Sequence, residues 1–292
     1  MPALSKNRYI AYALLLLNSA LWGFSPPIIK YSLQFISPNL FLFYRYILAT
    51  LIFFPIFLFY RTKVKHQKIN ISHHITLALL GTPLTLLPLF YGLMASTSIE
   101  SSILESSAPI FVILGGVLYL KEKIKTREWI GISIAFFGTL VLSFYPLFTT
   151  GLSALSIEGN LLIILSNIIW AAFLLLSKKD HVDPIYLTFY SFLLSIPFFL
   201  FLSLTCLNKT FYLNPQALPG ILYMAIGGSI VAFWAYQEGQ KRIEASEAAI
   251  FTYLKPVFTI PLAFLWLKEP FTPLAIISTT IIILGVYLSE RR

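Results

Sequence analysis

The sequence predicts an all-α integral membrane protein of ten transmembrane helices, built as two inverted five-helix repeats. Three observations predict this class: an apolar excess that lipid alone accommodates, apolar runs of spanning length between short polar breaks, and a match of the chain with itself at an offset of 147 residues. Of 292 residues, 58% are hydrophobic and 11% charged, against roughly 45–50% and 25% in soluble domains. The mean hydropathy of +0.80 agrees. A soluble protein of this size needs polar residues on its outer faces, whereas hydrocarbon accepts apolar ones.

Crossing a hydrocarbon layer of ~30 Å takes about 20 apolar residues at helical rise. Runs of that size lie at 10–29, 39–60, 75–94, 101–120, 128–145, 159–177, 185–207, 218–238, 246–267 and 273–289. The first, preceded by Lys6 and Arg8, is too long for a signal-peptide core and lacks an Ala-x-Ala cleavage site, so it reads as a retained helix.

Lysine and arginine are retained on the cytoplasmic side of short loops. With the N-terminus inside, sixteen of the 21 basic residues fall on that side, including Lys63, Lys121, Lys123, Lys178, Lys241 and Arg242. Lys30, Lys209 and Lys268 fall on the other, and Arg45 and Lys255 lie within helices. The expected topology therefore has both termini in the cytoplasm, in a cytoplasmic (inner) membrane. This sorting also accounts for the net charge of +9 and the pI near 9.5 without a nucleic-acid partner, for which no contiguous basic motif is present. The lone cysteine, Cys206, excludes an internal disulfide or a cysteine metal cluster.

The internal match places Pro109-Ile-Phe111 on Pro256-Val-Phe258, Leu120-Lys-Glu122 on Leu267-Lys-Glu269, and Gly138 on Gly285. One residue of slippage places Trp22 on Trp170 and Lys30 on Lys178. The first repeat is read as residues 1–147 and the second as 148–292. A repeat of five helices reverses the entry side of the second copy. Inverted repeats of this kind put a substrate near the midplane, at the interface between halves that rock to expose it alternately.

On these residues, with Pro38, Ala108, Gly131 and Pro184, the chain resembles the EamA type of the drug/metabolite transporter superfamily. The second copy lacks counterparts of Arg45 and Gly131. The resemblance implies a ten-helix secondary transporter, usually an exporter, of small molecules such as amino acids. Relatives implied by the same resemblance move nucleotide sugars, triose phosphates or S-adenosylmethionine. The expected partners are a small-molecule substrate and the bilayer, with no cofactor and no metal, and with proton coupling or facilitated exchange as the energetic options.

An ionisable group within a membrane helix costs at least ~2.5–3.5 kcal/mol, so it faces a cavity or a partner and marks a candidate site. Glu105 and Lys255 lead this set, followed by Arg45 and Glu238. Glu105 and Lys255 lie on the order of 10 Å into their helices from opposite faces, where they can converge. Each precedes a proline, which removes the hydrogen bond to the carbonyl four residues earlier. For Pro109 that carbonyl is Glu105, and for Pro256 it is the repeat-equivalent Thr252. Broken helices lining a site are one reading, and packing kinks, with the two side chains in a buried ion pair or snorkelling outward, the other.

Trp22 and Trp170 are repeat-equivalent and deep, and an indole N–H there needs a partner. Asn18 and Asn167 bring amides to similar depth, as cavity lining or as helix-packing contacts. Tyr91, Tyr236 and Gln237 complete the candidate lining. The four histidines and both aspartates fall in or beside cytoplasmic loops, and neither a His-Glu-x-x-His nor a phosphate-binding Gly-rich motif occurs. The reading is therefore a transporter of amino acids or related amines and not an enzyme. A nucleoside-type metabolite is the alternative cargo, and an enzyme acting on a lipid-linked substrate is the alternative class.

Overall fold

The computed structural model describes residues 6–63, 71–106, 108–123, 125–149, 154–179, 183–205, 211–269 and 273–290. Cys206, His66, His181, Asp180 and Lys209 lie outside these residues. The described chain is helical throughout. Eight of its segments are long and apolar enough to cross a membrane, among them Asn7–Ser32, Pro38–Thr62 and Glu158–Lys179. The fifth and tenth predicted spans form α8 (Thr126–Thr149) and α15 (Pro273–Glu290); the apolar helix within α15, Ile276–Gly285, is shorter than the rest.

Several spans are broken, each for a local reason. The first consists of α1 (Lys6–Gly23) and α2 (Ser25–Ser32), divided just before Pro26 and Pro27, which donate no backbone N–H. The Gly23 carbonyl at that break accepts from the Thr259 hydroxyl at 2.5 Å. The third divides at Thr82 into α4 (Ile71–Gly81) and α5 (Pro83–Ala95), where Pro83 begins the new helix. The fourth divides into α6 (Ser98–Glu105), opened by a Thr97/Glu100 capping box, and α7 (Ala108–Tyr119). The second, sixth and seventh are the continuous helices α3 (Pro38–Lys63), α9 (Ala154–Lys179) and α10 (Pro184–Thr205).

In the second half, α11 (Leu218–Tyr223) and α12 (Ala232–Gln240) flank a π-helical stretch at Met224–Val231. The ninth span runs from α13 (Ala245–Ile250) through a 3-10 turn at Phe251–Leu254 into α14 (Lys255–Leu267). Both breaks fall, at an offset of 147, on the breaks at Thr82 and after Glu105 in the first half.

Contacts recur at the same offset. Lys30 Nζ donates to the carbonyls of Leu93 at 3.1 Å and of Ser96, and Lys178 Nζ donates to those of Gln240 at 2.6 Å and of Ile243. Glu269 accepts from the Ser98 and Ile99 amides at 3.0 and 3.1 Å, at the start of α6, and Glu122 accepts from the Ala245 amide at 2.9 Å, at the start of α13. Lys121 and Lys268 both adopt left-handed backbone, at φ 56° and 57°. Each closes its helix by a hydrogen bond from the following glutamate amide to Gly116 or Ala263. At the packing level α1 lies on α12 as α9 lies on α5, while α3 pairs with α10 and α8 with α15.

The α8–α15 contact is a close backbone approach. A methyl group on Gly285 would sit 2.5 Å from Ala135 N and from Gly131 O, so the glycine sets the helix separation, as small residues do between membrane helices. Large apolar side chains such as Leu51, Phe59, Leu118 and Phe201 stay exposed on the outer faces, where lipid is their solvent.

A central cavity as the candidate functional site

The broken helices leave backbone acceptors in the middle of the molecule, and side chains of α1 and α9 satisfy them. Asn167 Nδ2 donates to the Leu104 carbonyl at 2.7 Å, at the end of α6, and Ser19 Oγ donates to the Phe251 carbonyl at 2.7 Å, in the 3-10 turn. Leu104 and Phe251 are repeat-equivalent, as are Ser19 and Asn167 with one residue of slippage. A second such pair joins Asn18 Nδ2 to the Ala232 carbonyl and Ser166 Oγ to the Thr85 carbonyl, both at 2.8 Å. An unsatisfied carbonyl in hydrocarbon costs several kcal/mol, so these links are what permit the helices to break there.

The breaks surround a cavity of ≈ 80 Å³, polar enough in its lining to hold water. Both halves line it. Trp22, Arg45, Thr82, Thr85, Phe90 and Glu105 come from the first, and Ser166, Asn167, Trp170, Ser229, Phe233 and Lys255 from the second. Glu105, the last residue of α6, and Lys255, the first of α14, meet there: Nζ to Oε2 is 3.0 Å, with the Glu105 side chain 11% and the Lys255 side chain 9% exposed. The predicted convergence of these two residues is thus a direct buried ion pair between halves. Lys255 Nζ also lies 5.0 Å from the centre of the Trp22 ring, a cation–π contact.

Trp22 belongs in turn to an aromatic cluster. Trp22 meets Trp170 edge-on at 5.4 Å and stacks on Tyr236 at 5.7 Å, while Trp170 and Tyr236 are 5.8 Å apart. The Trp22 indole N–H is satisfied by the Gly228 carbonyl at 2.9 Å, on the π-helical turn. Arg45, buried on α3, donates through Nε to Ser229 Oγ at 2.8 Å.

Not every predicted residue reaches the cavity. Asn18 and Tyr236 stand behind the lining, holding Ala232 and Trp22 respectively. Tyr91 points instead to Asn39 Oδ1, donating at 3.2 Å. Gln237 is buried outside the lining. Glu238 is bound by Arg242 one turn on, at the end of α12. Conversely, Thr82 and Ser229 line the cavity and were not predicted. They are repeat-equivalent hydroxyls, and that equivalence is the one signal for them in the sequence. Among the described residues no three His, Cys, Asp or Glu side chains converge as metal ligands.

Known proteins resemble the chain along its length. An uncharacterized transporter of Archaeoglobus fulgidus is 28% identical, over 96% of this chain and 97% of its own. A second from that organism is 27% identical, over 96% and 99%. Bacillus subtilis YetK, also an uncharacterized transporter, is 29% identical over 69% of this chain and 62% of its own. A crystal structure with 17% identity superposes with a TM-score of 0.77, covering 99% of this chain and 97% of that one, which shows a shared fold. The model of the EamA-like transporter family matches twice, over residues 9–144 and 157–291, and the chain belongs to that family.

Proposed function

We propose that the chain carries small polar metabolites, amino acids or related amines, across the cytoplasmic membrane as a secondary transporter working by alternating access. Ten spans in two inverted repeats, with both termini cytoplasmic, give the frame. The observation that carries the reading is the cavity at the junction of the halves, lined by the Glu105–Lys255 pair. A charge pair contributed by both halves is a contact that their relative motion makes and breaks, and a substrate with an ammonium or a carboxylate competes for it with charge-assisted hydrogen bonds, roughly twice as strong as neutral ones.

Two contacts outside the cavity support the rocking motion. Glu122, from the first half, caps α13 in the second, and Glu269, from the second, caps α6 in the first. They lie on opposite sides of the proposed topology, so opening one face needs the release of one latch while the other holds.

Flux of radiolabelled amino acids and nucleoside derivatives into vesicles containing the purified protein tests the reading. Amino-acid flux is the expected result. Flux of nucleoside derivatives alone would replace the cargo, and no flux of any member alongside turnover of a lipid-linked substrate would overturn the reading. In the same vesicles Glu105→Gln separates two roles of the pair. Loss of proton-driven accumulation with exchange preserved identifies coupling, and loss of both identifies recognition.

A further inference from the structure

We infer that the proposed cargo narrows to carboxylate-bearing molecules, excluding amines that lack a carboxylate, and that Arg45, rather than Lys255, binds that carboxylate; this rests on transport through the central cavity. Three charged side chains line that cavity: Arg45, Glu105 and Lys255. Glu105 and Lys255 neutralise each other at 3.0 Å. Arg45 is 4% exposed, and the partners it has are uncharged: Nε holds the Ser229 hydroxyl, its guanidinium carbon lies 5.2 Å from the Tyr46 ring centre, and Nη1 has no hydrogen-bond partner among the described residues. Of the cavity-lining side chains it alone carries such an orphaned polar atom. The described lining therefore holds one positive charge in excess, in surroundings where an uncompensated charge is expensive.

Packing between helices does not require that charge. Pro38 and Pro184 align the two copies here at an offset of 146, which puts Ser191 at the position of Arg45. The equivalent junction of the second copy joins α10 to the break in the third span by an uncharged contact, Thr82 Oγ1 donating to the Ser191 carbonyl at 3.0 Å. The arginine thus adds to the first copy a charge that its counterpart does without. A guanidinium presents a planar fork that fits a carboxylate with two parallel hydrogen bonds, and Ser229 fixes one edge of it. The apolar walls, Leu86, Phe90, Phe192 and Phe233, suit an apolar body behind that carboxylate. An ammonium on the same molecule gains nothing unless it displaces Lys255 from Glu105, so it is dispensable.

Isothermal titration calorimetry with four probes tests this on the purified full chain: 3-phenylpropionate, phenylalanine, 3-phenylpropanamide and 2-phenylethylamine. Both carboxylates are expected to bind, and the amide and the amine at least about tenfold more weakly, as loss of a hydrogen bond to a charged group predicts. Arg45→Gln is expected to remove at least about tenfold of the 3-phenylpropionate affinity, with partial recovery in Arg45→Lys. Where those variants do not fold, 3-phenylpropionate is expected to protect Arg45 of the unaltered protein from phenylglyoxal, read by peptide mass spectrometry. Equal binding of acid and amide, binding of phenylalanine without 3-phenylpropionate, or no protection overturns the assignment while leaving transport standing. Absence of flux for the whole metabolite panel removes the transport reading and this inference with it.

Discussion

Removing one member of the Glu105–Lys255 pair gives a direct measure of how the cavity is built. In Lys255→Met the flexible thioether keeps most of the packing beside Trp22, but the Glu105 carboxylate stays in a site where its side chain is 11% exposed. Such burial leaves little water to screen or solvate it. Breaking a buried pair from one side costs about 3–5 kcal/mol, and the lost contact with the Trp22 ring, 5.0 Å from Nζ, adds about 0.5–2 kcal/mol. Lys255→Met is therefore expected to lower the unfolding free energy by about 3–5 kcal/mol or somewhat more, and Glu105→Gln by a comparable amount, since it orphans the ammonium. Glu105→Gln/Lys255→Met removes both charges and is expected to recover to within about 1–2 kcal/mol of the original, because an apolar or neutral replacement of a whole buried pair is near neutral. Unfolding in mixed micelles of rising dodecyl sulfate content, followed by far-ultraviolet circular dichroism, measures all four proteins. Additive single effects, within about 0.5 kcal/mol, would refute the pair as a coupled unit.

Gly285→Ala is expected to destabilise by about 1–3 kcal/mol in the same assay, because the new methyl group meets backbone atoms Ala135 N and Gly131 O at 2.5 Å. Gly227, where nothing stands closer than 3.6 Å, is the tolerant control. The two glutamate latches are expected to act in opposite directions. With an impermeant thiol reagent outside, Glu269→Ala is expected to raise, and Glu122→Ala to lower, the labelling of a cysteine at the cavity-lining Thr85, each by about tenfold for the loss of its charge-assisted hydrogen bonds. Equal shifts in the same direction would refute the latches.

Part of this was legible in the sequence, because intramembrane charges have few interpretations in lipid; prolines are less decisive, since Pro55 and Pro197 lie inside the continuous α3 and α10. Pro26, Pro27, Pro83, Pro109 and Pro256 each stand at or within two residues of an observed helix boundary. Glu105 and Lys255 were selected by the cost of burying a charge, by their depth and by the prolines that follow them, and they do meet. The π-helical turn at Met224–Val231 has no such marker: it contains no proline, and only its position opposite Thr82 in the repeat betrays it. Glu238 illustrates the converse. An acidic residue near a helix end with an arginine four positions on is satisfied locally, and that spacing identifies it as a helix-end pair. Thr82 and Ser229 escaped notice because a membrane-helix hydroxyl can always satisfy itself on its own preceding turn, so residue type alone says nothing about a cavity.

The comparison between the two copies carries one further step. Several contacts that hold the scaffold agree in chemistry between the copies: Lys30 with Lys178, Glu122 with Glu269, Gly138 with Gly285, and the Asn18 and Ser19 pair with Ser166 and Asn167, amide and hydroxyl merely exchanged between positions. Where a charged side chain lines the cavity, they disagree every time: Glu105 faces the counterpart Thr252, Lys255 the counterpart Ala108, and Arg45 the counterpart Ser191. A contact needed by both halves to pack and to rock is constrained twice, once in each copy. A substrate, by contrast, has no two-fold symmetry, and the site that holds it has to place different groups at positions the repeat makes equivalent. Under the proposed function the charges confined to one copy are the part of the sequence through which chemical selectivity acts: exchanging Arg45 with Ser191 is expected to change the relative vesicle flux of carboxylate and amine substrates, whereas exchanging Glu105 with Thr252 also orphans Lys255 and is expected to destabilise the fold as the single charge removals do.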